Sequence, residues 1–156
     1  MNAIALHSAS FSKIREVYQS LNTVEAEARH GFYRVSFIGP WWLRKTAAPG
    51  LSLSGFSGWQ GKKFLTSETA TNILQSKQGI TEKFIMQCTQ VKSAVDGRIS
   101  VALSYDEHAP LPWRWVTDEL RQLDENTWLC MTVVNLPILK YFPLPFLLEK
   151  DGDAHV

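Results

Sequence analysis

The dipeptide Asp96-Gly97 most constrains the fold, because it separates two segments with the alternation of a β-strand. Asp-Gly is a strong signal for a tight hairpin turn, in which glycine readily adopts a positive φ. In residues 98–106, apolar side chains occupy every second position: Ile99, Val101, Leu103 and Tyr105. The pattern predicts an antiparallel hairpin of residues 82–92 and 98–106, with these four side chains on one face of a sheet.

A second hairpin follows the first. Residues 113–123 and 127–134 flank the polar turn Asp124-Glu125-Asn126, and two earlier strands are predicted at residues 32–38 and 61–65. A meander of this size commonly closes into a barrel, because closure removes its unpaired edges. The predicted fold class is therefore mainly β, an antiparallel meander that closes into a β-barrel.

The segments around these strands complete a predicted single domain of 156 residues. Apolar side chains spaced three or four residues apart predict a helical leader at about residues 11–29, ahead of a barrel at about residues 32–134. We expect Asn22-Thr23 to interrupt the leader, with one further turn in residues 24–29. Residues 40–61 are rich in glycine and are predicted to form a long connection, with one short strand near residues 51–53. Residues 66–79 are predicted to be a polar link.

The apolar C-terminal segment, residues 135–150, contains Pro137, Pro143 and Pro145. These prolines exclude a continuous helix and restrict the segment to an edge strand or an extended cover. We expect it to pack on the barrel, and the alternatives are a subunit interface in a homodimer or a transient membrane contact. The segment is too short and too interrupted for stable insertion into a bilayer.

The composition argues against nucleic-acid binding and favours a cytoplasmic protein. Sixteen basic and fifteen acidic residues give a net charge of +1 without a run of like charge, so the sequence offers no basic surface for a nucleic acid. The two cysteines, Cys88 and Cys130, lie far apart, which predicts free thiols in a reducing cytoplasm. The first residues lack the pattern of a signal peptide, which also favours a cytoplasmic protein.

No complete catalytic or metal-binding motif occurs in the sequence. It contains neither a phosphate-binding loop nor a G-x-S-x-G nucleophile motif. The four histidines lack the spacing of metal ligands: His7, His30, His108 and His155. We therefore expect no metal and no cofactor.

Several short motifs occur in a characteristic order. They are Gly31 with Tyr33, Gly58 to Phe64 (GWQGKKF), Tyr105-Asp106, Asp118 to Arg121 (DELR) and Asp124 to Thr127. Over about residues 24–134 they resemble the GXWXG-motif family, bacterial lipocalin-like proteins of unknown function. Tyr33 and Val35 replace the tryptophan and the second glycine of that family's first motif. The resemblance implies a lipocalin-like barrel, in which Arg121 would cover the ring of Tyr33 or Trp59, and it assigns no activity.

Aromatic residues make up 12% of the sequence and suit the lining of an apolar pocket. We therefore predict a small-molecule binding protein that holds an apolar or aromatic ligand in its barrel. The predicted contacts are Tyr33, Trp59, Tyr105, Trp113 and Arg121. Trp113 and Trp115 are two residues apart, so they would face the same side of a strand, either in the core or at a pocket mouth.

The alternative function is a cofactor-free acid–base enzyme, an isomerase or cyclase that acts on a hydrophobic substrate in the same barrel. Asp106 or Asp118 would be the general base, and Arg121 would stabilise a developing oxyanion. Asp118 and Arg121 are three residues apart, so they would point to opposite faces of a regular strand. An open apolar cavity favours the binding protein, and buried carboxylates facing that cavity favour the enzyme. A filled barrel favours a third class, a structural or partner-binding protein.

Overall fold

Eight antiparallel strands form a closed barrel in the computed structural model, which describes residues 3–151. Each strand pairs with its neighbours in the sequence, and the eighth closes the barrel by pairing with the first. The predicted mainly-β meander and its closure are confirmed. The strands are β1 (Gly31–Phe37), β2 (Trp59–Thr66), β3 (Thr69–Ser76), β4 (Gly79–Lys92), β5 (Ile99–Tyr105), β6 (Val116–Asp124), β7 (Thr127–Val134) and β8 (Leu144–Lys150).

Three helices and three short turns of 3₁₀-helix complete the described part of the chain. The helices are α1 (Ala3–Leu6), α2 (Phe11–Ser20) and α3 (Trp41–Leu53), and the turns are Ala26–Ala28, Trp113–Trp115 and Leu139–Tyr141. Within the helical leader, residues 11–29, the structure has the expected interruption around Asn22-Thr23. The backbone is already extended at Leu21 (ψ 155°), and only the turn Ala26–Ala28 follows.

The hairpin predicted from Asp96-Gly97 is present as β4 and β5. Gly97 has the positive φ, 76°, that the turn requires. Val101, Leu103 and Tyr105 are buried in the barrel interior, whereas Ile99, at the start of β5, is exposed. The opposite face of β5 is also buried, because the outside of the barrel is covered by α2 there. Tyr18 Oη lies 2.7 Å from Ser100 Oγ.

The second predicted hairpin is formed by β6 and β7, but its first strand begins at Val116. Residues 113–115 form a 3₁₀ turn and not part of the strand. Trp113 is therefore buried while Trp115 is exposed, so the prediction that both indoles face the same side of a strand is wrong.

Two elements replace regions that were predicted to be irregular. Residues 41–53 form α3, not a connection with a short strand, although Pro49 lies inside the helix. The helix begins directly after Pro40, and no side chain on it is fully buried. The predicted polar link contains β3, whose Asn72 is polar yet buried in the barrel interior. The polar composition of residues 66–79 gives no alternation of apolar side chains from which β3 could be predicted.

The C-terminal segment closes the barrel and is not an edge strand. β8 pairs with both β1 and β7, and its central residues Phe146, Leu147 and Leu148 are buried. Pro145 lies one residue before the first pair with β1, Phe37 with Phe146, so its missing N–H leaves that ladder intact. Residues 138–142, which precede β8, remain largely exposed. Within residues 3–151, no helix is long and apolar enough to cross a bilayer.

Candidate ligand cavity

An open cavity lies at one end of the barrel, which we call the mouth end. The mouth end carries the β1–β2, β3–β4, β5–β6 and β7–β8 connections, and the first of these contains α3. The cavity has a volume of about 330 Å³ and reaches from α3 into the barrel interior. Cavities of this size fall at the lower end of the range for small-molecule sites.

Aromatic side chains form much of the cavity wall. The rings of Phe56 and Trp113 stack with their centroids 4.2 Å apart, and Trp59 meets Phe146 edge-on at 5.5 Å. Trp113 Nε1 donates a hydrogen bond of 2.9 Å to the Ser54 carbonyl, just beyond the end of α3. The wall is therefore apolar, and its indole at position 113 is held in place by a backbone contact.

The inner end of the cavity carries a buried cluster of polar side chains, which we call the polar floor: Lys62, Asn72, Tyr105 and Asp118. Lys62 Nζ lies 3.1 Å from Asp118 Oδ2 and donates a hydrogen bond of 2.8 Å to Asn72 Oδ1. It also lies 3.2 Å from the sulfur of Met86. Lys62, Tyr105 and Asp118 all line the cavity.

The ammonium of Lys62 is held in its charged form. Burial alone lowers the pKa of Lys62, but the charge of Asp118 and the hydrogen bond to it raise it, and the net pKa lies above the ordinary value. Burial raises the pKa of Tyr105, so its hydroxyl stays neutral. The other oxygen of Asp118, Oδ1, accepts a hydrogen bond of 2.8 Å from Thr132. The floor thus presents a compensated ion pair and a neutral hydroxyl to the cavity.

A β-bulge explains how Trp59 and Lys62 both reach this cavity. They are three residues apart and would face opposite sides of a regular strand, but the pairing of β2 with β3 shifts register between Trp59 and Gly61. A Cβ at Gly61 would lie 2.0 Å from the Tyr33 carbonyl oxygen, so only glycine permits this approach of β2 to β1. Lys62 therefore faces inward with Phe64, as the alternation of a regular strand requires, and the bulge brings Trp59 to the same side.

The structure places the predicted ligand contacts in three locations. Trp59, Tyr105 and Trp113 line the cavity. Tyr33 lies in the filled part of the barrel, where its ring stacks on Trp128 at 3.9 Å and its hydroxyl donates to the Ala28 carbonyl at 2.7 Å. Burial raises the pKa of Tyr33 to about 12. Tyr33 therefore packs the barrel interior and does not line the cavity.

Arg121 lies outside the barrel, and its predicted position over Tyr33 or Trp59 is wrong. Its guanidinium lies 4.3 Å from the ring centre of Tyr18 on α2 and pairs with Asp96 at 2.5 and 2.8 Å. Asp118 and Arg121 do point to opposite faces of β6, as their spacing predicts. Because Asp118 faces the cavity, Arg121 faces the helical cover, where it contacts neither the cavity nor its wall.

Asp106 and the three histidines in the described residues do not contribute to the cavity. Asp106 accepts a hydrogen bond of 2.7 Å from the His108 backbone N–H in the exposed β5–β6 connection. Within residues 3–151, no group of three metal-ligating side chains is close enough to hold an ion. His155 lies outside the described residues. Cys88 and Cys130 are free and buried, and burial raises the pKa of both thiols.

Comparison with known proteins supports the fold alone. No protein-family model and no curated protein matches the chain, so membership of the GXWXG family is not established. A solved structure described as a protein from Thermomonospora curvata is similar, with a TM-score of 0.72 and 18% sequence identity. The similarity covers 94% of this chain and 90% of that one, and at this identity it carries no activity from one protein to the other.

Proposed function

We propose that the protein binds a compact small molecule with an apolar or aromatic body in the cavity at the mouth end. The observation that carries this proposal is the contrast between the aromatic wall, which includes Phe56, Trp59 and Trp113, and the charged floor beneath it. Apolar walls with a few fixed polar groups are typical of small-molecule sites, because burial supplies affinity and the polar groups set orientation.

The polar floor favours a ligand that carries a neutral hydrogen-bonding group, such as a carbonyl or hydroxyl. Two of the protons on Lys62 Nζ face strong oxygen acceptors, whereas the contact with the Met86 sulfur is weak. A ligand oxygen is a better acceptor than a thioether and would replace that contact. A ligand carboxylate would instead compete with Asp118 for the ammonium and repel it, which disfavours acidic ligands.

The tryptophans at positions 113 and 41 provide a matched test. Titration of the protein with N-phenyl-1-naphthylamine, a neutral apolar probe, should quench tryptophan emission. Trp113→Ala should weaken probe binding by about 1–3 kcal/mol, a roughly 5- to 150-fold change in Kd, because it removes a buried wall contact. Trp41→Ala removes an exposed indole outside the cavity and should leave the Kd unchanged. If Trp41→Ala is the variant that weakens binding, the probe reports a surface patch and the proposal fails.

The acid–base enzyme is a second candidate, favoured by the convergence of Asp118, Lys62 and Tyr105 on one cavity. Asp118 would accept a proton from a carbon acid, and Lys62 would stabilise the resulting oxyanion in the role first predicted for Arg121. Incorporation of deuterium from D₂O into an apolar ketone, lost in Asp118→Asn, would support the enzyme. Ligand binding without deuterium exchange would instead support ligand binding as the function.

We propose that the protein is located in the cytoplasm, where the free thiols of Cys88 and Cys130 would stay reduced.

A further inference from the structure

Large exposed apolar side chains are concentrated at the mouth end. The apolar rim comprises the six most exposed of them there: Trp41, Leu53, Leu111, Ile138, Tyr141 and Phe142. They belong to the β1–β2, β5–β6 and β7–β8 connections, so three separate parts of the chain contribute to one end of the barrel. Among residues 3–151, three further exposed apolar residues are scattered on β2, β4 and β5: Leu65, Ile85 and Ile99. Single exposed apolar residues are ordinary, whereas a concentration at one end indicates contact with an apolar partner.

The apolar rim adjoins the ligand cavity. A second cavity of about 400 Å³ lies between α2, the start of α3 and the β7–β8 connection, and it is lined by Trp42, Tyr141 and Phe142. Leu144 and Pro145 line both this second cavity and the ligand cavity. Apolar surface therefore continues from the rim to the wall of the ligand cavity.

Charge is segregated along the barrel axis even though the net charge is only +1. The connections at the mouth end carry five basic residues, Arg44, Lys45, Lys77, Arg114 and Lys140. They carry two acidic ones, Asp106 and Glu107. Among the described residues, the connections at the opposite end carry six acidic residues: Glu25, Glu27, Glu68, Asp96, Glu125 and Asp151. Two of them, Asp96 and Asp151, pair with arginines on the strands. Their basic residues are Arg29 and Arg98.

We propose that the apolar rim docks on the surface of a lipid bilayer that contains anionic lipids. Exposed indole and phenol rings suit the interface between headgroups and acyl chains, and nearby lysines and arginines are attracted to anionic headgroups. A second copy of the chain is a poorer occupant, because a symmetric contact between two rims would bring like basic charges together. Together with the proposed ligand cavity, docking in this orientation lets an apolar molecule pass between the bilayer and the barrel.

Co-sedimentation of the full chain with vesicles tests the docking directly. The protein should sediment with vesicles that contain phosphatidylglycerol, and much less with vesicles of phosphatidylcholine alone. Ile138→Ser with Phe142→Ser should reduce the partition into anionic vesicles by about tenfold or more, because two apolar contacts are lost. Lys45→Glu with Lys140→Glu should reduce it and weaken its dependence on salt. Because all four side chains lie on the surface, thermal unfolding should show that the variants stay folded.

Matched controls come from the opposite end of the barrel. Leu65→Ser and Lys92→Glu change exposed residues of the same types and should leave the partition unchanged. Equal loss in the controls, or no sedimentation of the parent protein with anionic vesicles, overturns the proposal. A dimer in solution that Phe142→Ser dissociates would also overturn it by assigning the rim to a second copy. Probe binding measured without vesicles is a separate readout, so failure of docking leaves the ligand cavity standing.

Discussion

Lys62 Nζ lies 3.1 Å from Asp118 Oδ2 at the inner end of an aromatic cavity, and both side chains are at most 5% exposed. They come from β2 and β6, which are not neighbours in the barrel, so the ion pair crosses its interior. The attraction between the charges offsets the large free energy of removing them from water only while both are present. The pair is thus both a structural link across the barrel and the polar end of the proposed ligand site.

Breaking this pair should destabilise the fold more than replacing it. Lys62→Met alone leaves Asp118 buried and unpaired, so we expect the free energy of unfolding to fall by about 3–5 kcal/mol. Adding Asp118→Leu should restore most of the loss, because no unpaired charge remains. Urea unfolding monitored by tryptophan emission measures the free energy of unfolding of the single and the double variant. Equal instability of the single and double variants would show that the pair does not compensate its own burial.

The pH dependence of stability should depend on Asp96. Hydrogen bonds from Arg121 hold the pKa of Asp96 below its ordinary value, against the effect of burial. A lowered folded-state pKa means that the contribution is present above about pH 4 and is lost as the pH falls further. Asp96→Asn should therefore lower the Tm at pH 7 and flatten the decline of Tm between neutral and acidic pH. A variant with the same acid decline as the parent would contradict this assignment.

Arg121 should matter for stability and not for the ligand. Its guanidinium lies outside the barrel, where it stacks on the ring of Tyr18 and pairs with Asp96. The Arg121 side chain is fully buried there. Arg121→Met leaves the Asp96 carboxylate without its partner and should cost about 3–5 kcal/mol of stability, as for other broken buried pairs. The Kd of N-phenyl-1-naphthylamine should not change in the folded variant. Weaker probe binding with unchanged stability would return Arg121 to the ligand site.

Gly61 should tolerate alanine less well than Gly79. Both have a positive φ, so alanine is strained at either position. At Gly61 the added Cβ would also lie 2.0 Å from the Tyr33 carbonyl oxygen, whereas at Gly79 no heavy atom is within 4 Å. Gly79→Ala should cost about 1–2 kcal/mol, and Gly61→Ala should cost several times more or prevent folding. Equal Tm values for the two variants would contradict the account of the bulge.

Local patterns in the sequence predict the two hairpins and the strands β1 and β2, but not β3, α3 or the two-sided pairing of β8. Alternation and turn residues marked β4 to β7, because both signals are local. β3 was missed since Asn72 is buried against Lys62, a partner ten residues away that makes a polar strand residue acceptable inside. α3 is not predicted because Pro49 and Gly50 resemble a break. The C-terminal segment is predicted at most as an edge strand, because the pairing of β8 with β1 joins the two ends of the described chain and leaves no local signal.

The candidate site was predicted in part for the same reason. Trp59, Tyr105 and Trp113 follow from the abundance of aromatic residues in a barrel, and the inward direction of Asp118 relative to Arg121 follows from the period of a strand. Lys62 is not predicted, because a lysine in a strand is ordinarily exposed. It shares the inward face of β2 with Phe64, two residues further on, and the bulge between Trp59 and Gly61 lets Trp59 reach the same cavity. The motif around Tyr33 predicts a ligand contact, but Trp128 stacks on its ring and fills the space beside it.

The indole N–H signals of the six tryptophans test the central claim most directly, because they report where a ligand binds. In a ¹⁵N-correlated NMR spectrum, addition of N-phenyl-1-naphthylamine should shift the signals of Trp59 and Trp113, which line the cavity. The signal of Trp128, in the filled part of the barrel, and that of Trp41, on the apolar rim, should not move. Shifts confined to Trp41 and the other exposed indoles, with Trp59 and Trp113 unchanged at saturation, would contradict ligand binding in the cavity.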